Sequence, residues 1–149
     1  MLIDILKLKH GGKTSDNFEF QFLPNESFTL ENLAVIDGPI KVNGTLQLHE
    51  DEVDVDGEIS CLIVGKCARC LEKAVYNFKS GFYATFVRSN PNLDEDEYLY
   101  KRGVVDLTEP VRDFLLANMP SVIYCKDDCK GLCPVCGSNL NEEDCKCKY

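Results

Sequence analysis

Residues 52–64 read Glu-Val-Asp-Val-Asp-Gly-Glu-Ile-Ser-Cys-Leu-Ile-Val, EVDVDGEISCLIV. Val53, Val55, Ile59, Cys61 and Ile63 fall on alternate positions, and Asp54, Asp56 and Glu58 oppose them. A period of two is what a strand produces when one face is buried and the other meets water. The pattern extends in both directions. In NFEFQF (17–22), Phe18, Phe20 and Phe22 share a side, and in KVNGTLQL (41–48) Val42, Leu46 and Leu48 do. In YNFKSGFYATFV (76–87), Tyr76, Phe78, Phe82, Ala84 and Phe86 alternate, with Gly81 expected at a bulge or bend. Ile3 and Ile5 predict a further strand at the N-terminus. Asp37-Gly38-Pro39 is a turn signal, and residues 49–52 fit a hairpin loop.

Residues 88–103, RSNPNLDEDEYLYKRG, break the alternation and predict a surface loop. The next segment, DLTEPVRDFLLANMP, predicts a helix over 106–119. Asp106 or Thr108 can cap it, Pro110 is tolerated in its first turn, and Pro120 ends it. Leu107, Val111, Phe114, Leu115 and Met119 form one apolar stripe, expected to pack inward. The fold expected is therefore α+β and mainly antiparallel β, a sheet or a partly closed barrel. One C-terminal helix packs on it and a small zinc-binding tail follows. The expected division is 1–120 for the β-rich domain and 121–149 for the cysteine-rich appendage.

The chain has 149 residues, 44% hydrophobic and 28% charged, which suits a soluble domain with a real core. No apolar run approaches the roughly 20 residues that span a bilayer. MLIDILKLKHGGK lacks a basic leader and a small-residue cleavage site, so a cytoplasmic location and no membrane partner are expected. The net charge of −9 is unfavourable for a protein whose main partner is a polyphosphate, because nonspecific nucleic-acid affinity comes largely from Lys and Arg. It points to basic protein partners, or to RNA contact through a local patch; acidity that merely maintains solubility is an equal reading.

Six of the nine cysteines lie between Cys125 and Cys147. Clustered thiols in a reducing compartment bind metal or do redox work more often than they form disulfides, and an odd number forbids complete internal pairing. The sharpest motif is Cys133-Pro-Val-Cys136-Gly, in which two thiolates in a tight turn can bind one zinc ion. The expected ligands are Cys129, Cys133, Cys136 and Cys147, with Cys125 and Cys145 as alternates. A tail this polar has no core of its own and needs a metal to be ordered; free thiols on a disordered tail are the competing expectation. Four thiolates would close the zinc site and leave no bound water.

Cys67-Ala-Arg69-Cys70 is a separate CxxC in a turn between two strands. It reads as a reduced, partly buried turn, as a metal half-site shared with another element, or as a redox pair. His10 and His49 lie in turns without a helical metal motif. No nucleophile elbow, phosphate loop or metal-ligating carboxylate cluster is present, and Asp94 to Glu97 lack calcium-loop spacing. These absences argue against an enzyme, and no small-molecule substrate is evident.

CARCLE (67–72), the helix VVDLTEPVRDFLLANMP and the tail CKDDCKGLCPVCGSNLNEEDCKC occur in an order and separation that resembles the YceD family. Its members are bacterial and plastid proteins linked to accumulation of large-subunit ribosomal RNA. The resemblance implies a non-enzymatic factor in large-subunit biogenesis, with a ribosomal or assembly-factor protein as partner and large-subunit rRNA as a further one. It transfers no catalytic residue; Cys67 to Cys70 and the tail cysteines carry over as candidate functional or metal positions. Lys126, Lys130, Lys146 and Lys148 are the clustered cations available for RNA. The alternative is a thiol-based redox or metal-sensing protein using Cys67, Cys70 and the spare tail thiols.

Overall fold

The computed structural model describes residues 1–30 and 34–147. Along the chain lie β1 (Leu2–Asp4), α1 (Ile5–His10), β2 (Ser15–Phe22), a 3₁₀ turn (Glu26–Phe28), β3 (Val35–Leu48), β4 (Glu52–Lys66), β5 (Lys73–Val87), β6 (Glu97–Leu99), β7 (Val104–Asp106) and α2 (Thr108–Asn118). β2 to β6 form one open five-stranded sheet in sequence order, antiparallel except for β6, which runs parallel to β5. The sheet does not close into a barrel. β1 and β7 make a separate two-stranded pair.

The alternation read from residues 52–64 sorts the two faces. Val53, Val55, Ile59, Cys61 and Ile63 are buried together with Val42, Leu46, Phe78, Phe82, Ala84 and Phe86. Asp54, Asp56 and Glu58 lie on the opposite, solvent-facing side. Tyr76 keeps its place in the alternation but is exposed, although Ile63, its partner across the β4–β5 ladder, is buried. From α2 and its two cap residues, Leu107, Val111 and Leu115 are buried on the core, with Phe114 and Met119 packed beside them. The stripe faces inward, as its spacing predicts.

One cross-strand row explains two glycines. Phe18 pairs with Gly44, Gly44 with Gly57, and Gly57 with Phe82, so two large rings flank two residues without side chains. A Cβ on Gly57 would lie 2.7 Å from the Asn43 carbonyl oxygen and 2.7 Å from the Phe82 ring; one on Gly44 would lie 2.9 Å from the Phe18 ring. The Phe82 ring also meets Phe114 of α2 at 6.1 Å.

Several local expectations are corrected. The N-terminal strand is only three residues long, and Ile5 begins a helix. Asp4 caps that helix by accepting the N–H groups of Leu6 and Lys7 at 3.0 and 3.3 Å, a local alternative to strand pairing that two isoleucines cannot outweigh. Asp37-Gly38-Pro39 is not a turn between strands but an irregularity within β3, where the register with β4 shifts between Asp37 and Lys41. Gly38 supplies the positive φ of 79° there. Gly81 marks no bulge, since β4 and β5 pair without interruption from Glu52↔Val87 to Lys66↔Lys73. The segment 88–103 is not all loop: it contains β6, and it buries Tyr98 and Tyr100, with the Tyr98 ring 5.7 Å from Phe86. The turn over 49–52 is a tight hairpin, closed by the His49 N–H donating to the Glu52 carbonyl.

At the start of α2 the side chain of Asp106 accepts the Thr108 N–H at 3.0 Å and its hydroxyl at 2.7 Å. The Met1 ammonium lies 3.5 Å away. Partial burial pushes the Asp106 carboxyl up, but the Thr108 donors and the ammonium outweigh it and hold it below the usual range.

Two outcomes are expected. Gly44→Val lowers stability by about 1–3 kcal/mol, measured by urea unfolding, because the new side chain has no room between β4 and the Phe18 ring. Asp106→Ala costs about 1 kcal/mol at neutral pH. The wild-type carboxyl binds its proton less tightly folded than unfolded, so its contribution is complete above the ordinary Asp range and is lost as pH falls through the lowered folded value. The wild-type and Asp106→Ala stabilities should therefore converge in acid.

Candidate metal centre

The β4–β5 ladder ends at Lys66↔Lys73 and thrusts Cys67-Ala-Arg-Cys70 out as its connecting turn. The Leu71 N–H donates to the Cys67 carbonyl at 3.0 Å, and the Arg69 N–H points at Cys67 Sγ at 3.4 Å. Leu71 then adopts a φ of +62°. In the tail, Cys133-Pro-Val-Cys136 repeats the same construction. The Gly137 N–H donates to the Cys133 carbonyl at 2.9 Å, the Val135 N–H points at Cys133 Sγ at 3.4 Å, and Gly137 has a φ of +73°. The two CxxC segments are thus the same knuckle, each turning its backbone amides toward its first sulfur. Glycine makes the left-handed step at no steric cost; leucine does so against its own Cβ.

Each knuckle meets a second cysteine pair. Cys67, Cys70, Cys125 and Cys129 form one quartet, and Cys133, Cys136, Cys145 and Cys147 form another, with all sulfurs of a quartet within 4.8 Å of one another. Cys67 and Cys129 sulfurs are 3.8 Å apart and Cys70 and Cys125 3.6 Å. In the tail, Cys136 to Cys145 is 3.5 Å and Cys133 to Cys145 is 3.2 Å. A tetrahedral ion held at about 2.3 Å from four sulfurs needs them about 3.8 Å apart. Both quartets approach that geometry, and all nine cysteines are unbridged. Each quartet can hold a metal ion. The ninth thiol, Cys61, points into the main core, where burial raises it to about 11.

The expected ligand set is split by this geometry. Cys133, Cys136 and Cys147 lie together, joined by the alternate Cys145; Cys129 instead lies with the alternate Cys125 and with Cys67 and Cys70. The reason is the docking of the tail on the sheet. The Ala68 N–H donates to the Ile123 carbonyl at 2.9 Å, and the Leu132 N–H to the Arg69 carbonyl at 3.2 Å. Arg69 Nη1 donates to the carbonyls of Asp127 and Cys129, both at 3.2 Å, and its guanidinium lies 4.5 Å over the Tyr124 ring. Ile123 and Leu132 pack against Cys67, Cys70 and Ala74. The sequence held a usable signal for this: two CxxC pairs and two further close pairs, Cys125/Cys129 and Cys145/Cys147, make two sets of four. Spacing alone did not say that Cys67 and Cys70 return to meet the tail.

The thiols are electrostatically unequal. Burial pushes Cys67 up, but the backbone N–H groups of Cys70, Cys125 and Arg69 and the Cys70 thiol outweigh it and hold it at about 6. Burial also raises Cys129, while Asn141 and the Gly131 N–H bring it below its ordinary value. Cys70 rises in spite of the Glu72 N–H, and desolvation followed by the neighbouring thiols takes Cys125 to about 12. In the tail quartet, the Ser138 hydroxyl and N–H hold Cys136 at about 6, and the Cys136 and Val135 N–H groups lower Cys133. Cys145 rises in spite of the Cys147 N–H, and neighbouring thiols push Cys147 to about 12. In each quartet two thiols favour the thiolate and two resist it, because anionic sulfurs crowd one another. A divalent cation at the centre removes that conflict.

Lys126, Lys130 and Lys146 are exposed on the tail, and Lys148 lies outside the described residues. The same segment carries Asp127, Asp128, Glu142, Glu143 and Asp144, so its charge is of mixed sign. Among the described residues, no helix is long and apolar enough to cross a membrane.

Leu71→Gly should raise the thermal stability of the protein by about 0.5–1 kcal/mol, since it relieves the left-handed leucine of a side chain that is exposed. Leu71→Val should lower it, because a β-branched side chain fits that conformation worse.

A family model described as Large ribosomal RNA subunit accumulation protein YceD matches residues 55–149. The uncharacterized protein Rv2926c of Mycobacterium tuberculosis is 28% identical over 123 residues, covering 79% of this chain and 58% of its own. The uncharacterized protein YlbN of Bacillus subtilis is 22% identical over 147 residues, 87% of this chain and 86% of its own. The chloroplastic Large ribosomal RNA subunit accumulation protein YCED homolog 1 of Arabidopsis thaliana is 35% identical over 43 residues, 29% of this chain and 13% of its own. The chain thus spans little more than half the length of the mycobacterial relative. No solved structure matches it significantly. The family model takes in well over half of the chain, with both knuckles and all eight clustered cysteines inside it: the chain belongs to the YceD family.

Proposed function

We propose that the protein is a non-enzymatic factor in large ribosomal subunit biogenesis that promotes accumulation or processing of large-subunit rRNA. The observation that carries this reading is the family match over 55–149. That region holds the CARC turn, α2 and the tail, so the likeness falls on the assembled centre rather than on the sheet alone. The protein acts by binding, in the cytoplasm, and its metal is structural zinc. Two closed sets of thiols support this, since a site with four sulfur ligands has no open position for a reacting water. A net charge of −9 and a tail of mixed sign favour a ribosomal or assembly-factor protein as the direct partner. Contact with large-subunit rRNA, if made by the tail, runs through Lys126, Lys130, Lys146 and Lys148.

A second reading is a thiol-based redox or metal-sensing protein using Cys67, Cys70 and the tail cysteines, favoured by the exposure of Cys125 and Cys136, since accessible thiols are the ones oxidants reach.

The test is the ratio of mature large-subunit to small-subunit rRNA in cells lacking the protein. The ratio should fall and return with a wild-type copy. An unchanged ratio sinks the biogenesis reading. A copy carrying Cys133→Ser and Cys136→Ser should restore it only partly if the tail centre takes part, and a rate of restoration that tracks oxidant exposure would favour sensing instead.

A further inference from the structure

The two quartets are built differently. Cys133, Cys136, Cys145 and Cys147 all come from the tail and close only short loops. Cys67, Cys70, Cys125 and Cys129 come from two parts of the chain: Cys67 and Cys129 are 62 residues apart, and Cys70 and Cys125 are 55. No cysteine is shared between the sets. Burial differs too. In the composite set Cys67, Cys70 and Cys129 are buried and only Cys125 is exposed, whereas in the tail set only Cys133 is buried, Cys136 is exposed and Cys145 and Cys147 are half-buried.

We propose that each quartet binds its own zinc ion and that the composite one, on Cys67, Cys70, Cys125 and Cys129, is a latch fastening the tail to the tip of the β4–β5 hairpin. The inference rests on the zinc reading of the quartets made above. What holds the tail apart from the ion is small: Ile123 and Leu132 against Ala74, two backbone hydrogen bonds, and the Arg69 contacts. So few apolar contacts cannot offset the entropy of ordering the segment. The ion can, because its binding free energy is available only when the turn and residues 125–129 are together. Without it, four crowded sulfurs, three of them on buried residues, would face one another with no charge to balance them. The tail ion has another duty: it shapes residues 133–147 and does not reach the sheet. Its ligands are also the more accessible, so a chelator reaches it first and the latch last.

The experiment uses the full chain purified with its metal. Zinc per chain is measured by mass spectrometry, and hydrogen exchange is followed in residues 121–132, in residues 133–147 and in β4–β5. Two ions per chain are expected. Cys67→Ser with Cys70→Ser should leave one ion and strip protection from 121–132 at least tenfold while β4–β5 keeps its protection. Cys145→Ser with Cys147→Ser should also leave one ion, strip 133–147 and leave 121–132 protected. Loss of both ions in either variant means one cooperative centre and overturns the proposal, as does continued protection of 121–132 without Cys67 and Cys70. Chelator added to the wild-type protein gives an answer that needs no variant to fold. Release in two steps, with 121–132 opening only in the second, is expected; a single step, or release that leaves 121–132 closed, overturns the latch. A wild-type chain that carries no ion removes the zinc reading as well, whereas two ions with an indifferent tail remove the latch alone.

Discussion

The antiparallel ladder between β4 and β5 is the constraint to which the other parts are referred. Its fifteen pairs run from Glu52↔Val87 to Lys66↔Lys73 without a slip. A shift of one residue would turn Val53, Val55, Ile59, Ile63, Phe78, Phe82 and Phe86 to water and Asp54, Asp56 and Glu58 to the core. The hydrophobic pattern therefore admits one register. That register places the knuckle Cys67 to Cys70 at the end of the hairpin, brings Gly57 beside Phe82, and sets the face on which α2 lies. The long hairpin is thus both the core of the sheet and the arm that presents two of the eight clustered thiols.

The tail reaches that arm through contacts of a different kind. Main-chain groups, a guanidinium and sulfurs dominate, and Ile123 and Leu132 bring the apolar contacts seen among the described residues. Arg69 has three tasks at once: it lies over Tyr124 and donates to two carbonyls in the segment that carries Cys125 and Cys129. A planar fork of donors suits this better than an ammonium could, because it can satisfy two carbonyls while its face covers a ring. Gly131, with a φ of +78°, lets the chain pass close to the Arg69 carbonyl; a Cβ there would lie 3.2 Å from that oxygen.

The legibility of the molecule followed the range of the interaction concerned. Strands with three or more alternating apolar positions, such as 52–64 and 17–22, were readable because period two is a local consequence of backbone geometry. So was α2, whose stripe and prolines act within a few residues. Ile3 and Ile5 misled because two positions cannot distinguish a strand from the first turn of a helix capped by Asp4. Gly38 and Gly81 looked alike as breaks; one is an irregularity and the other is not, and only pairing with β4 separates them. β6 was missed because a three-residue parallel strand carries almost no periodicity of its own and is defined by its neighbour. Among the thiols, Cys133 and Cys136 were evident from their knuckle and its glycine. The matching knuckle at Cys67 was obscured by leucine at the position where glycine usually stands.

The sequence by itself determined that the chain is an antiparallel β protein with one main helix, that its cysteines are too many and too clustered for chance, and which thiol pairs form tight turns. Those properties depend on neighbours a few residues apart. Only the tertiary structure decided that the thiols divide four and four, that Cys129 leaves the tail set for Cys67 and Cys70, and that the sheet stays open. Each of these depends on where a hairpin of two fifteen-residue strands ends in space and on what returns to meet it about sixty residues later, and no local pattern encodes a distance of that kind.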